Sequence, residues 1–269
     1  MRSIVNFSSK YISVLLCISM ILFFILCFVY DSDTLAAEAE TYKNYIGGYS
    51  QASTDNDPVV LKAAGYEKEN NTSVSDGILL TGSNSTVTYR INLPEAGLYH
   101  IAIRYRPVAG GNEIIRKIRL NGEYPFEEAE YITLKRYYRD KDQEYKKQTG
   151  NQTFPTQIEV EEWSETFLFS SDGYIIDPLA FFFEKGENTL TIEAVEGDIW
   201  MDTISLIPAT PLPSYKTYIE NCRANGYKVY TGEPIKVQGE DAALKTSPGL
   251  YPINDRTSPL IEPYHPSYI

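Results

Sequence analysis

The feature that most constrains this chain is a period of two. From Pro58 to Pro208, Val87, Tyr89, Ile91 and Leu93 alternate with Thr88, Arg90 and Asn92. Tyr99, Ile101, Ile103 and Tyr105 alternate with His100, Ala102, Arg104 and Arg106, and Leu190, Ile192 and Ala194 alternate with Thr191 and Glu193. Such a pattern buries one face of a strand and wets the other. Turn chemistry punctuates it: Pro94-Glu95-Ala96-Gly97, Asn121-Gly122, Lys185-Gly186-Glu187-Asn188 and Gly197-Asp198. No convincing amphipathic helix interrupts the region. Short strands with closely spaced turns predict an all-β antiparallel sandwich over residues 58–208. Trp200 leads the last apolar run with Met201, Ile204 and Leu206, and is read as core packing.

The N-terminus reads differently. Arg2 and Lys10 precede an uncharged stretch, residues 11–30. As a helix it would be roughly 30 Å long, enough to cross a bilayer core. Asp31, Asp33 and Glu38 follow, which orients the remainder outward. Ala37-Glu38-Ala39 has the small-x-small form of a signal peptidase site. Residues 1–39 are thus a cleaved signal peptide or a retained membrane anchor, and either places the bulk of the chain outside the cytoplasm. Net charge is −12 over 269 residues, which repels phosphate backbones and argues against nucleic acid as a partner. Three cysteines, two of them (Cys17 and Cys27) in the apolar stretch, exclude a disulfide framework.

The chain also repeats itself. Tyr42-Lys43-Asn44-Tyr45-Ile46 returns as Tyr215-Lys216-Thr217-Tyr218-Ile219, and each copy precedes a proline that opens an apolar-polar run, at Pro58 and at Pro234. Ser214 and Gly226 are suited to cap a short helix between them, with Tyr215, Tyr218, Ile219 and Cys222 on one face. The predicted organisation is a short helix and linker at 40–57, the sandwich at 58–208, a proline-rich linker and helix at 209–233, and the truncated start of a second sandwich at 234–269.

Several motifs share an order seen elsewhere: Leu93-Pro94-Glu95-Ala96-Gly97-Leu98-Tyr99, Arg119-Leu120-Asn121-Gly122 with Pro125-Phe126, Ser171-Asp172-Gly173-Tyr174, Gly186-Glu187-Asn188-Thr189-Leu190, and the run from Leu250 to Pro259. With them, residues 40–269 resemble the N-terminal region of large Gram-positive extracellular solute-binding proteins of sugar ABC transporters. The resemblance implies a galactose-binding-like jelly roll, a carbohydrate ligand, and a permease partner reached through C-terminal lobes that this sequence does not contain. Related modules often hold calcium through acids on the first strand and an Asp near the last. Asp202 matches the latter, but Lys62 and Ala64 stand where the acids belong, so no cofactor is expected.

Catalytic constellations are missing: no Gly-x-Ser-x-Gly elbow, no phosphate loop, no His-Glu-x-x-His. Glu159, Glu161 and Glu162 form an acidic run beside Trp163 and read as a solvated strand edge. The residues expected to bind a glycan are aromatics in or beside loops, Trp163, Tyr137, Tyr138 and Tyr174, with Asp172 and Arg139 as hydroxyl partners. Sugars present C–H faces that stack on rings, while their hydroxyls need polar side chains. The sequence therefore predicts a non-catalytic surface module that binds carbohydrate. A structural spacer and an accessory module of a polysaccharide-degrading enzyme are the alternatives.

Overall fold

A computed structural model of the chain describes residues 40–141, 156–237, 239 and 242–250. The predicted N-terminal span and cleavage site, most of the polar stretch between Asp140 and Thr156, and the tail from residue 251 lie outside them. Among the described residues no helix is long and apolar enough to cross a membrane.

The alternating segments become strands, and so do others that the alternation did not mark. In chain order they are β1 (Val59–Lys62), β2 (Lys68–Ser75), β3 (Ile78–Leu93), β4 (Gly97–Pro107), β5 (Ile114–Leu120), β6 (Ile132–Leu134), β7 (Tyr137–Asp140), β8 (Gln157–Val160), β9 (Ser164–Phe167), β10 (Ala180–Phe183), β11 (Gly186–Glu196) and β12 (Ile199–Pro208). All pairings are antiparallel. One layer runs β1-β12-β4, with β9 and β10 sharing the far side of β4; the other runs β2-β3-β11-β5-β6. The layers join where the start of β3 pairs with Ile199–Met201 of β12, so the sheet folds over on itself as a sandwich. β7 and β8 form a separate hairpin.

Between the layers lie the inward halves of the alternation. Tyr89 and Ile91 of β3, Ile101, Ile103 and Tyr105 of β4, Phe181 and Phe183 of β10, Leu190 of β11 and Ile204 of β12 are essentially inaccessible. Each such side chain contributes roughly 1.5–3 kcal/mol by leaving water. The Asn121-Gly122 turn adopts left-handed backbone at both residues (φ 52° and 91°), which asparagine and glycine tolerate best, and closes on a bridge between Leu120 and Glu123.

One edge is closed by a helix instead of a strand. α1 (Tyr42–Gly48) lies beside β10. Its Tyr42 hydroxyl accepts the Ala180 N–H at 3.0 Å, and its Tyr45 hydroxyl accepts the Phe182 N–H at 2.8 Å. Residues three apart on a helix share a face, as do alternate N–H groups of a strand, so two hydroxyls meet two otherwise open donors. Both tyrosine rings pack on Phe126, and Tyr49 stacks on Phe182 with centroids 4.1 Å apart.

Three expectations are corrected. Trp200 is not core: Ile199 and Met201 point inward, and Trp200 faces out with partial exposure. The cause is a β-bulge between Met201 and Thr203, which shifts the alternation by one residue. Of the acidic run, Glu161 and Glu162 are exposed as expected, but Glu159 is not at a solvated edge. Glu159 is ion-paired with Arg136, their side chains being 12% and 6% exposed, and its other oxygen accepts the Gly110 and Gly111 N–H groups at 3.1 Å. The strand expected from Pro234 does not form over residues 234–237, which pair with no strand among the described residues. The helix between Ser214 and Gly226 is present as α2 (Tyr215–Ala224); the Ser214 hydroxyl accepts the Thr217 N–H at 3.2 Å, but no residue of α2 is buried.

Candidate functional site

The outward half of β4 carries Arg104 and Arg106, two residues apart and so on one face. Register decides what joins them. On β12, Trp200 lies opposite Arg106; on β9, Glu165 lies opposite Arg104, and Trp163 immediately precedes that strand. The Arg106 guanidinium carbon sits 5.4 Å from the Trp163 ring centroid and 5.9 Å from that of Trp200. The Arg104 carbon sits 5.5 Å from Trp163. The β12 bulge re-aims Asp202, whose carboxylate meets Arg104 Nε at 3.2 Å and Lys62 Nζ at 3.4 Å. The result is an outward strip of two indoles braced by two guanidinium groups, edged by Glu165 and Asp202. Cation–π contacts of this kind are worth about 0.5–1 kcal/mol each at exposed sites, which biases a ring's orientation by a factor of a few.

The strip continues along β4. His100 Nδ1 is 3.1 Å from the Leu179 carbonyl, and its ring meets Phe167 edge-on at 5.7 Å. From position 100 to 106 a strand rises roughly 20 Å. The strip is therefore elongated along β4.

The neighbouring end of the sandwich is densely hydrogen-bonded. Arg116, fully buried, donates to the carbonyls of Glu196 at 2.7 Å and Gly197 at 2.8 Å and to the Thr81 hydroxyl at 3.2 Å. Burial pushes its guanidinium down to about 10, with the Asp198 charge acting the other way, so it remains a cation at neutral pH. Arg136 donates to the Val108 carbonyl at 2.7 Å, and Glu161 accepts the Ala109 N–H at 2.9 Å. The β4–β5 loop beside the strip is therefore tied at both its backbone donors and its acceptors.

The six residues expected from sequence are not brought together. Trp163 is in the strip. Tyr137 is on β7, not in a loop, and its hydroxyl lies 2.7 Å from Ser164 Oγ, next to Trp163. Tyr138 and Arg139 are also on β7. Tyr138 exchanges backbone hydrogen bonds with Lys245, and Arg139 is exposed. Asp172 and Tyr174 sit in the β9–β10 loop, which is fastened to the start of β6 in the other layer: Ser171 Oγ donates to the Tyr131 carbonyl at 2.8 Å and accepts the Thr133 N–H at 2.9 Å. There Asp172 accepts from Ser170 Oγ and the Tyr174 N–H, which hold its carboxyl below the usual range. Tyr174 is 90% exposed. Sequence reasoning missed Arg104 and Arg106, read Trp200 as packing, and marked Asp202 only as the match to a calcium-ligand position. The one signal for the arginines was their place in the wet half of the β4 alternation.

No protein-family model matches the chain, and no curated protein matches it. Solved structures do. A family 35 carbohydrate binding module from Clostridium thermocellum is 15% identical, with a TM-score of 0.33, covering 57% of this chain and 99% of that one. A CBM35 from Paenibacillus barcinonensis is 18% identical, with a TM-score of 0.35, covering 55% and 97%. The GH26-CBM35 β-(1,4)-mannanase of Podospora anserina is 16% identical, with a TM-score of 0.36; the match covers 59% of this chain and 29% of the mannanase.

Proposed function

We propose that this protein is a non-catalytic carbohydrate-binding module whose ligand lies along the outward strip of β9, β4 and β12. The observation that carries the reading is the pair of indoles, Trp163 and Trp200, brought to Arg106 from the strands on either side of it. The core of the sandwich is filled by the opposite face of the same strands, so packing does not require these rings. Partly exposed indoles offer flat apolar surface to sugar C–H faces. Arg104, Glu165 and Asp202 offer donors and acceptors to hydroxyls beside them. The setting suggested by the resemblance is the cell surface, where such a module would raise the local glycan concentration for a sugar ABC transporter.

Affinity electrophoresis and titration calorimetry against soluble xylan, mannan, mixed-linkage β-glucan, pectin and α-glucan test the reading. Retention by at least one polymer is expected, abolished in Trp163→Ala and Trp200→Ala with unchanged far-UV circular dichroism. Failure of every polymer to retard the wild-type chain overturns it.

A further inference from the structure

The β7–β8 hairpin stands apart from the large sheet. Two strands alone are marginally stable at best in water, and a third partner is what such a hairpin lacks. The chain supplies one from far along the sequence. Beyond α2 it returns to β7, where Lys245 forms an antiparallel bridge with Tyr138. The Tyr138 N–H donates to the Lys245 carbonyl at 2.7 Å, and the Lys245 N–H donates to the Tyr138 carbonyl at 2.8 Å. The Lys245 ammonium pairs with the Asp140 carboxylate, the two side chains being 8% and 11% exposed. Asp140 also accepts from Gln157 Nε2 of β8 at 2.6 Å, so one carboxylate joins all three segments. Lys245 is the one cationic residue between Gly239 and Leu250 in the sequence. A backbone bridge alone would let the neighbouring residues slide into its place; a buried ion pair can be made by Lys245 only, which fixes the register.

What Lys245 fastens is the strand that reaches the strip. Tyr137, next to Tyr138, places its hydroxyl 2.7 Å from Ser164 Oγ, and Ser164 directly follows Trp163. Just before β7, the Lys135 carbonyl accepts the Tyr105 hydroxyl of β4 at 2.7 Å. β7 is thus tied to β4 and to the start of β9, the strands that carry Arg104, Arg106 and Glu165, and also to Lys245. We infer that Lys245 is a positioning residue for the glycan strip: by pinning Tyr138 and Asp140 it fixes the neighbouring Tyr137 hydroxyl on Ser164, and with it the seat of Trp163. The inference rests on the glycan-binding reading and adds that the site is completed by chain from beyond α2.

Two variants of the full-length chain test it. Lys245→Met keeps the aliphatic stem and removes the charge, whereas Lys245→Arg keeps the charge. Both are compared with wild type by nitrogen-15 NMR, where Trp163 and Trp200 give the indole N–H signals and Trp163→Phe identifies its own. Lys245→Met should speed amide exchange at Tyr138, shift the Trp163 indole signal and lower affinity for the retained polymer about fivefold, with far-UV circular dichroism unchanged. Lys245→Arg should restore all three. If Lys245→Met does not fold, Asp140→Asn takes its place, because the amide oxygen can still accept from Gln157. Faster exchange at Tyr138 with the Trp163 signal and the affinity unmoved overturns the inference, since Lys245 would then fasten the tail and nothing more. An unchanged Tyr138 amide overturns it too. Should no polymer bind the wild-type chain, the glycan reading fails by itself, and the Trp163 signal still decides whether Lys245 positions the indole.

Discussion

The Arg136 guanidinium and the Glu159 carboxylate form a buried ion pair under the β4–β5 loop. The pair is not isolated. Arg136 also reaches the carbonyls of Val108 and Asn112, and Glu159 also reaches the N–H groups of Gly110 and Gly111. It ties the backbone of a glycine-containing loop at two carbonyls and two N–H groups. Breaking one member of a buried pair strands the other charge away from water, at a cost of about 3–5 kcal/mol. Glu159→Ala should lower stability to urea by that order, and amide exchange at Gly110 and Gly111 should accelerate.

Arg106 should matter to binding through the rings it braces. Arg106→Ala removes contacts to both indoles, so the near-ultraviolet circular dichroism of the tryptophans should weaken, and glycan affinity should fall about tenfold, equivalent to about 1.4 kcal/mol. Tyr174→Ala, in the β9–β10 loop that is fastened to β6 of the other layer, should leave affinity unaltered. Calorimetry on the two variants separates the strip from that loop: equal losses in both would refute the location proposed for the site.

Gly197 joins β11 to β12 with φ near +74°, and a Cβ there would lie 2.4 Å from the Glu113 carbonyl oxygen. Backbone cannot yield as a flexible side chain can. Gly197→Ala should therefore destabilise by more than about 1 kcal/mol, visible as a lower Tm, and should disturb the Arg116 hydrogen bond to the Gly197 carbonyl.

Asp172 gives a pH prediction with a definite sign. Its folded carboxyl is held below the ordinary value near 3.8, first by Ser170 Oγ and then by the Tyr174 N–H. A depressed folded pKa means that the ionised form belongs to the folded turn. Its contribution is therefore complete above the unfolded value and is lost as pH falls through the lower folded one. An NMR titration of the Asp172 side chain should show a midpoint below 3.8, moving up in Ser170→Ala.

At the capped edge, Tyr42→Phe keeps the ring against Phe126 but leaves the Ala180 N–H unpaired. A loss of about 1 kcal/mol is expected, with faster exchange at the Ala180 amide as the local readout.

What the sequence determined by itself was local: the two-residue period of β3, β4 and β11, the left-handed turn at Asn121-Gly122, and the Ser214 and Gly226 limits of α2. These depend on backbone sterics and on side chains within a few residues of one another. Tertiary structure alone decided the strip, because Arg106, Trp163 and Trp200 meet through strand register across 94 residues of chain. Trp200 shows why. Counted back from Ile204 and Leu206 by twos, it belongs to the core; the bulge beside Asp202 resets the phase and turns it outward. A bulge is chosen by the pairing of two whole strands, so no residue near Trp200 announces it. The same holds for Glu159, whose charge suggested solvent and whose partner, Arg136, reaches it only once β7 and β8 have paired.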